Sequence, residues 1–292
     1  MRRILLLILI LCFSCNLVSA QEPELVLPIG HTNKIFFAQF SPDQKKVLTV
    51  SADATAKIWD AASGAMLVDL KGHSGEIRYA QFSPDGKKIV TASGDKTAKI
   101  WDAASGNILA DLKEHTAYVR FVQFSPACPD DPGGGKKIVT ASWDSTAKIW
   151  DAASGKLLAN FKGHNSWLYF AEFSPDGKKI ITTSQDSTAK IWDAVSGVLL
   201  ADLKGHSQYV WFAQFSPDGK KIVTVSDKTP RIWDAATGAH LYDLKGHSLR
   251  VYHAEFSPDG KKIATASNDS TLKIWSAATG ALLTDLKGHS GG

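Results

Sequence analysis

Six histidines recur along the chain, and each is followed at regular distances by a threonine, an aspartate and a tryptophan. In the second set these residues are His73, Thr91, Asp95 and Trp101. A histidine near a carboxylate and a hydroxyl is the composition of a catalytic relay. It is also the composition of a buried hydrogen-bond chain, because an indole N–H only donates, a carboxylate only accepts, and a hydroxyl and an imidazole can relay between them.

The repetition of this set favours the hydrogen-bond chain. A relay that occurs once in every copy of a unit is expected of a scaffold, whereas a catalytic centre needs only one. One histidine per unit also argues against a metal site, since the histidines are not gathered within ligand distance. We find no other nucleophile–base pair and no glycine-rich phosphate loop in the sequence. We therefore predict a protein that is not an enzyme, with no catalytic residue, no metal ligand and no cofactor.

The histidines define a repeat with a period of 42 residues. Their separations are 42, 42, 49, 42 and 41 residues. The long separation comes from an insertion that includes Asp130 to Gly135, and the short one from a residue lost between Ser226 and Asp227. The units run over residues 31–72, 73–114, 115–163, 164–205, 206–246 and 247–288.

Each unit contains four short strand-like runs. In the second unit they are Ile77–Phe82, Lys87–Ser93, Thr97–Trp101 and Ile108–Leu112, separated by turns rich in aspartate and glycine. No stretch beyond the first twenty residues has the 3.6-residue periodicity of a helix. Four antiparallel strands per repeat of this length predict an all-β fold, a β-propeller of four-stranded blades.

The Gly-His, Ser-x-Asp and Ile-Trp-Asp motifs at fixed offsets resemble the WD40 repeat family, and the resemblance covers residues 24–292. It implies that each blade is tied by hydrogen bonds running from the tryptophan through the threonine and the histidine to the aspartate. The matching residues are His31, Thr49, Asp53, Trp59; His73, Thr91, Asp95, Trp101; His115, Thr140, Asp144, Trp150; His164, Thr182, Asp186, Trp192; His206, Asp227, Trp233; and His247, Thr265, Asp269, Trp275.

The fifth unit departs from this pattern. Thr224 stands nine residues before Trp233 instead of ten, and Pro230 replaces the alanine of four other copies. A proline in a strand that is flanked on both sides loses a ladder hydrogen bond. We expect this blade to be the least stable one.

The sequence contains one more outer-strand segment than six blades need. Glu24–Pro28 and Ala281–Leu286 both have the outer-strand pattern. One interpretation is a six-bladed propeller that is closed by its N-terminal strand, which we favour. The other is a truncated form of a longer array, with an exposed edge through which the chain could self-associate.

Because the copies are nearly identical, the few columns that differ are informative. Three columns vary: the third and fifth residues after each histidine and the residue before the turn aspartate. The resemblance places these columns on the narrow face of the propeller, around its central channel. We define the narrow face by thirteen of their residues: Lys34, Phe36, Glu76, Arg78, Tyr118, Arg120, Trp143, Trp167, Tyr169, Tyr209, Trp211, Arg250 and Tyr252.

Aromatic residues and arginines dominate binding hot spots, and the narrow face is rich in both. We predict a scaffold that binds a protein or peptide partner there, with little ordering cost because a propeller is rigid. Binding of a glycan is the alternative, since tryptophan and tyrosine rings also stack on sugars. A hydrolase that uses the central channel is the least favoured interpretation.

The first twenty residues read as a secretory signal peptide, leaving residues 21–292 as the propeller. Arg2 and Arg3 precede an apolar stretch, and Val18-Ser19-Ala20 is a cleavage site. We expect export to a periplasmic or extracellular location, in a bacterium, with no transmembrane anchor after cleavage. Cys128 is then the one remaining cysteine. The net charge of +4 excludes the charge signature of a nucleic-acid-binding protein.

Overall fold

The computed structural model describes residues 30–128 and 131–288, which form β-strands and no helix. The strands make six antiparallel sheets of four, here called blades 1 to 6. Blades 1 to 3 contain β1 (Ile35–Phe40), β2 (Lys46–Ser51), β3 (Ala56–Asp60), β4 (Met66–Leu70); β5 (Ile77–Phe82), β6 (Lys88–Ser93), β7 (Ala98–Asp102), β8 (Ile108–Leu112); and β9 (Val119–Phe124), β10 (Lys137–Ser142), β11 (Thr146–Asp151), β12 (Leu157–Lys162). Blades 4 to 6 contain β13 (Leu168–Phe173), β14 (Lys179–Ser184), β15 (Ala189–Asp193), β16 (Leu199–Leu203); β17 (Phe212–Phe215), β18 (Lys221–Val225), β19 (Arg231–Asp234), β20 (His240–Asp243); and β21 (Val251–Phe256), β22 (Lys262–Ser267), β23 (Thr271–Ser276), β24 (Leu282–Lys287).

Within each blade, every strand pairs with the next one along the chain, so the four strands lie in chain order. The turns that join them are set by local chemistry. In blade 2 the hydroxyl of Ser83 donates to Asp85 at 2.6 Å and accepts the backbone N–H of Lys88 at 2.9 Å. Gly86 completes this turn with a φ of +69°, a backbone conformation that favours glycine. The all-β propeller of four-stranded blades predicted from the sequence is confirmed, with six blades.

The apolar core lies between neighbouring blades, in layers that we call seams. In the seam between blades 1 and 2, Leu48, Ile58 and Leu70 of blade 1 pack with Ile77 and Trp101 of blade 2. Equivalent clusters fill the next four seams. The tryptophan of each unit from the second to the sixth therefore packs against the preceding blade.

The first strands of the blades line a central channel, where aromatic rings contact one another from blade to blade. The centroids of successive rings are 4.2–4.9 Å apart. The rings belong to Phe37, Tyr79, Phe121, Phe170, Phe212 and His253.

A polar contact also crosses every one of these five seams. A glutamine or glutamate side chain on the first strand of one blade accepts the backbone N–H of a phenylalanine on the first strand of the next. For example, Gln81 holds the N–H of Phe124 at 2.7 Å. The acceptors are Gln39, Gln81, Gln123, Glu172 and Gln214. We call this contact the seam clasp.

Blades 6 and 1 do not share a seam of this kind within the described residues. Phe40 of blade 1 is 62% exposed, whereas its counterpart Phe82 is 4% exposed. On blade 6, Leu286 is 50% exposed, whereas its counterpart Leu70 is fully buried. Among residues 30–128 and 131–288, the ring of blades is therefore open at this point.

The C-terminal segment forms the outermost strand of blade 6. β24 pairs with β23 and completes the sheet. This corrects the interpretation in which the N-terminal strand closes a six-bladed ring, since that place is already filled and blade 1 is not packed against blade 6. The segment Glu24–Pro28 and the signal peptide lie outside the described residues.

Blade 5 is built from shorter strands than its neighbours. Its four strands contain 4, 5, 4 and 4 residues, whereas those of blade 2 contain 6, 6, 5 and 5. Pro230 immediately precedes β19, and pairing between β18 and β19 ends at Thr224 and Arg231. In blade 2 the equivalent pairing continues for one more residue, to Ala92 and Ala98. The shortening falls where the sequence loses a residue and gains a proline.

Candidate functional site

A hydrogen-bond chain crosses the inner part of each blade. In blade 2 the indole N–H of Trp101 donates to the Thr91 hydroxyl at 2.9 Å, and that oxygen lies 2.7 Å from Nε2 of His73. Nδ1 of His73 lies 2.7 Å from the carboxylate of Asp95. Blades 1, 3, 4 and 6 contain the same three contacts at 2.7–3.2 Å.

The aspartate of each complete chain is an acceptor for several donors. Asp95 also accepts the N–H of Ser74 and both the N–H and the hydroxyl of Thr97. Burial opposes ionisation of Asp95, but the hydrogen bonds from His73 and Thr97 outweigh it and lower its pKa. At Asp53 the same balance of burial against hydrogen bonds lowers the pKa to about 2. The carboxylates are therefore ionised and fully engaged in fixing the loops.

The chain in blade 5 is interrupted. Trp233 and His206 both contact the hydroxyl of Thr224, at 2.8 and 2.7 Å. Within the described residues, however, His206 makes no hydrogen bond to Asp227, which instead holds the N–H of Thr229 at 2.9 Å. Burial lowers the pKa of His206 to about 4, and the nearby charge of Arg231 adds to this effect. His206 is thus a neutral imidazole without its usual carboxylate.

These chains have the properties of a scaffold. The hydroxyl-bearing Thr91 is fully buried and already shared between an indole and an imidazole, so no substrate can reach it. The equivalent threonines of four further units, Thr140, Thr182, Thr224 and Thr265, are buried in the same way. No cluster of three or more His, Cys, Asp or Glu side chains suited to a metal ion occurs in residues 30–128 and 131–288.

The three variable columns lie at the end of the blades that carries the histidine–aspartate contacts. Residues of the first two columns precede or begin the innermost strand, and those of the third sit in the turn between the second and third strands. Along blades 1 to 4 the narrow-face side chains form a continuous row. The ring of Trp143 stacks between Tyr118, at a centroid distance of 4.6 Å, and Trp167, at 4.5 Å. We call these three residues the aromatic row.

A polar network anchors the start of the aromatic row. The hydroxyl of Tyr118 donates to Glu76 at 2.8 Å, and Nε of Arg78 donates to the same carboxylate at 3.2 Å. The Arg78 guanidinium lies 3.8 Å from the ring centre of Phe36. Glu76, the one acidic residue of the narrow face, is thus neutralised within the protein.

A second group, which we call the arginine cluster, lies on blades 5 and 6. The guanidinium of Arg250 covers the ring of Trp211 at 3.6 Å and lies 5.1 Å from Tyr209 and 5.7 Å from Tyr252. Tyr169 of blade 4 joins this group through its contact with Tyr209 at 5.7 Å. Blade 5 is where the shortened turn leaves Asp227 apart from His206, and a cavity of about 390 Å³ opens there beside Asp227, Lys228, Trp211 and Arg250.

The mouth of the channel lies beside the arginine cluster. A cavity of about 540 Å³ is lined by Arg120, Tyr169, Trp211 and Arg250 among others. Burial lowers the pKa of Arg120, and the neighbouring charge of Arg78 contributes. Among the described residues neither Arg120 nor Arg250 forms an ion pair with a carboxylate. Lys34 is exposed at the edge of blade 1.

Several donors on the narrow face have no acceptor in the described part of the chain. They are the indole N–H groups of Trp143 and Trp211 and Nε of Arg250, all shielded from solvent. Buried donors without partners are uncommon because each costs free energy.

Glu172, at the opposite mouth of the channel, is not among the residues predicted from the sequence. Its side chain is half-buried, and its carboxyl group accepts the N–H of Phe215 at 3.1 Å. Burial raises its pKa to about 8. The signal in the sequence is a column that reads Gln39, Gln81, Gln123, Glu172, Gln214 and Glu255, in which glutamate replaces glutamine twice.

Comparison with known proteins identifies the repeat. A family model described as "WD domain, G-beta repeat" matches residues 22–60, 64–102, 106–151, 155–193, 197–234 and 238–276. Each matched segment ends at the residue after the tryptophan of its unit. No curated protein matches the chain.

In the described residues, no helix is long and apolar enough to cross a membrane.

Proposed function

Because the chain belongs to the WD40 repeat family, we propose that it is a non-catalytic scaffold that binds a protein or peptide through its narrow face. The repeats suggest a protein-interaction scaffold, and the narrow face supplies the more specific proposal. One observation carries it: the aromatic row and the arginine cluster place stacked rings and two arginines without carboxylate partners at the same end of the blades.

The chemistry of the narrow face favours an acidic segment as the partner. Arg120 and Arg250 provide charge, while Glu76 is already paired with Arg78 and Tyr118. A carboxylate on the ligand would gain a charge-assisted hydrogen bond from a guanidinium in a partly desolvated site. Exposed ring surface beside it, as at Trp167, would cover apolar side chains of the same segment. The rigid blades hold these groups in place, so little ordering cost accompanies binding.

Selection from a displayed library of random peptides, followed by fluorescence anisotropy on the selected sequences, tests this proposal. We expect selected peptides rich in Asp and Glu next to apolar residues. The Trp143/Trp167/Trp211→Ala variant should lose binding by 100-fold or more, on the order expected of several hot-spot residues. An Arg120→Gln/Arg250→Gln variant should lose about 10-fold or more and lose most of the salt dependence.

The matched control replaces three exposed leucines on outer strands, Leu109, Leu158 and Leu200, with alanine. This variant changes three large apolar residues away from the narrow face and should bind as the wild type does. Equal binding by the tryptophan variant would overturn the proposal. Binding of neutral oligosaccharides instead of peptides, abolished by the same tryptophan substitutions, would favour the glycan alternative.

We further propose that the protein is exported. The charged start, apolar stretch and small-residue cleavage site of residues 1–20 support this. N-terminal sequencing of the protein purified from its host should give Gln21 as the first residue. A protein that begins at Met1 in the cytosolic fraction would contradict the proposal.

A further inference from the structure

The open seam between blades 6 and 1 presents two apolar surfaces, which we call the lips. The lip on blade 1 includes Ile35, 53% exposed, and Phe40. Their counterparts in blade 2, Ile77 and Phe82, are covered by blade 1. Trp59 also belongs to this lip and is partly exposed, whereas the tryptophans of the other five units are at most 2% exposed.

The lip on blade 6 carries the complementary set. Leu272, Ile274 and Leu286 are exposed or half-buried. The equivalent positions of blade 2, Ala98, Ile100 and Leu112, are fully buried against blade 3. Each lip therefore shows the apolar surface that a neighbouring blade covers everywhere else in the chain.

The hydrogen bond of the seam clasp is also missing on both lips, within the described residues. In the five closed seams the phenylalanine N–H of one blade donates to a glutamine or glutamate of the preceding blade. On the lips, Phe40 has no such acceptor and Glu255 no such donor within the described residues. Glu255 is exposed, whereas Glu172 at the same place in blade 4 is half-buried. The donor and the acceptor of a seam clasp are thus both present on the lips, but they are not bonded to each other.

We infer that the lips bind a blade-sized β-sheet element of a partner polypeptide, which completes the ring as a further blade. The closed seams define the chemistry of this occupant. Towards blade 6 it presents a tryptophan, alternating apolar residues and a backbone N–H for Glu255. Towards blade 1 it presents small and branched apolar residues and a carboxamide for the N–H of Phe40. Such an element buries both lips without leaving an unpaired polar group.

This inference is independent of the narrow face, because none of the residues of the aromatic row or the arginine cluster lies on a lip. The apolar lips are also too extensive to be chance exposure, since the same positions are buried in five closed seams. The occupant must be sheet-like, because the surfaces that cover these positions elsewhere are the faces of four-stranded sheets.

A probe taken from the chain itself tests the inference. The polypeptide of residues 73–106 contains the three inner strands β5 to β7 of one blade, with Gln81 and Phe82 placed to form both clasps. Added to the full chain, it should bind with 1:1 stoichiometry and raise the Tm by about 5–10 °C at a concentration 100 times its Kd. Hydrogen exchange at the amide of Phe40 should slow by 10-fold or more. A probe of scrambled sequence should do neither.

Lip variants give the control. Phe40→Asp and Leu272→Asp should each abolish the effect of the probe, whereas Leu158→Asp, on an exposed outer strand, should leave it unchanged. A second form, which does not depend on independent folding of the free probe, carries the sequence of residues 76–106 fused after Gly292. This fusion should show the same gain in Tm and the same protection of Phe40.

Three results would overturn the inference. The first is that neither the free probe nor the fusion changes the Tm or the exchange of Phe40. The second is a disulfide that forms readily between Phe40→Cys and Glu255→Cys in a Cys128→Ser background without probe, which would mean that the lips meet each other. The third is a stable dimer that Phe40→Asp or Leu272→Asp dissociates, which would mean that a second copy covers them.

Discussion

Blades 2 and 5 contain the same four residue types at their centres but hold them differently. In both, a tryptophan and a histidine share one threonine hydroxyl at 2.7–2.9 Å. Only in blade 2 does the histidine reach the turn aspartate, because blade 5 lacks one residue between Ser226 and Asp227. The deletion is absorbed at the aspartate end of the hydrogen-bond chain and leaves the tryptophan end intact. Residue type alone therefore does not establish the contact, since the length of the turn decides whether it forms.

The two blades also differ in how they are clasped to the blade before them. The N–H of Phe82 in blade 2 is held by the carboxamide of Gln39, whereas that of Phe215 in blade 5 is held by the carboxyl group of Glu172. A carboxamide is neutral at every pH. A carboxyl group that is shielded from water must stay protonated, because its ionised form would lose favourable solvation. Blade 5 thus combines a broken hydrogen-bond chain, a proline and an ionisable clasp. It is also the blade that carries Trp211 and borders the arginine cluster.

The largest expected effect comes from removing the turn aspartate in each blade. Asp95→Ala deletes an acceptor of four hydrogen bonds and leaves His73 unpaired, so we expect a loss of about 3 kcal/mol in the free energy of unfolding. Asp227→Ala removes one short hydrogen bond and a weak one to Ser207, and should cost about 1 kcal/mol. Chemical denaturation of both variants measures the difference.

A glycine inserted between Ser226 and Asp227 is the matched control for this prediction. The insertion restores the turn length of blade 2 and should let Asp227 reach His206. In the chain with this insertion, replacing the turn aspartate of blade 5 with alanine should lower the free energy of unfolding almost as much as Asp95→Ala does in blade 2. Equal costs for the two aspartates in the original chain would show that the missing contact has no energetic consequence.

An intermediate effect is expected from the clasp of blade 5. The pKa of Glu172 is raised to about 8 in the folded protein, from an ordinary value of 4.5 when unfolded. Between these two pH values Glu172 is protonated in the folded chain but ionised in the unfolded chain. The free energy of unfolding is therefore highest at low pH and falls as the pH rises from about 4.5 to about 8. Glu172→Gln keeps the acceptor for Phe215 and should gain on the order of 2 kcal/mol above pH 8, with little change near pH 4.

The mirror substitution serves as the control for the clasp. Gln81→Glu on blade 2 should introduce the pH dependence that Glu172→Gln removes, because Gln81 holds Phe124 in the same way. Thermal unfolding between pH 4 and pH 9 measures both. A melting temperature of the wild type that rises steadily across this range, with no divergence from Glu172→Gln, would contradict the prediction.

The repeat made the fold accessible from sequence, because strand length, turn residues and the histidine, threonine, aspartate and tryptophan columns recur six times. The variable columns also pointed to Trp143, Trp167 and Trp211, but the sequence could not tell that Trp167 stacks in a row while Trp211 lies under Arg250. Those contacts depend on side-chain directions across blades. The open seam was predicted least well. Counting strand-like segments shows which ones compete for the outer position of a blade. Whether the first and last blades pack together depends instead on the angles between neighbouring blades, added over five seams.

The smallest effect is expected in the local stability of the third strands. Ile232 and Trp233 lie in a four-residue strand that begins after Pro230, whereas Ile100 and Trp101 lie in a five-residue strand that is paired one residue further. A shorter ladder next to a proline opens at lower free energy, so the amides of Ile232 and Trp233 should exchange several-fold faster than those of Ile100 and Trp101. Native-state hydrogen exchange resolves the two pairs. Slower exchange in blade 5 would mean that the shared threonine hydroxyl, which both blades keep, governs local stability more than the length of the strand does.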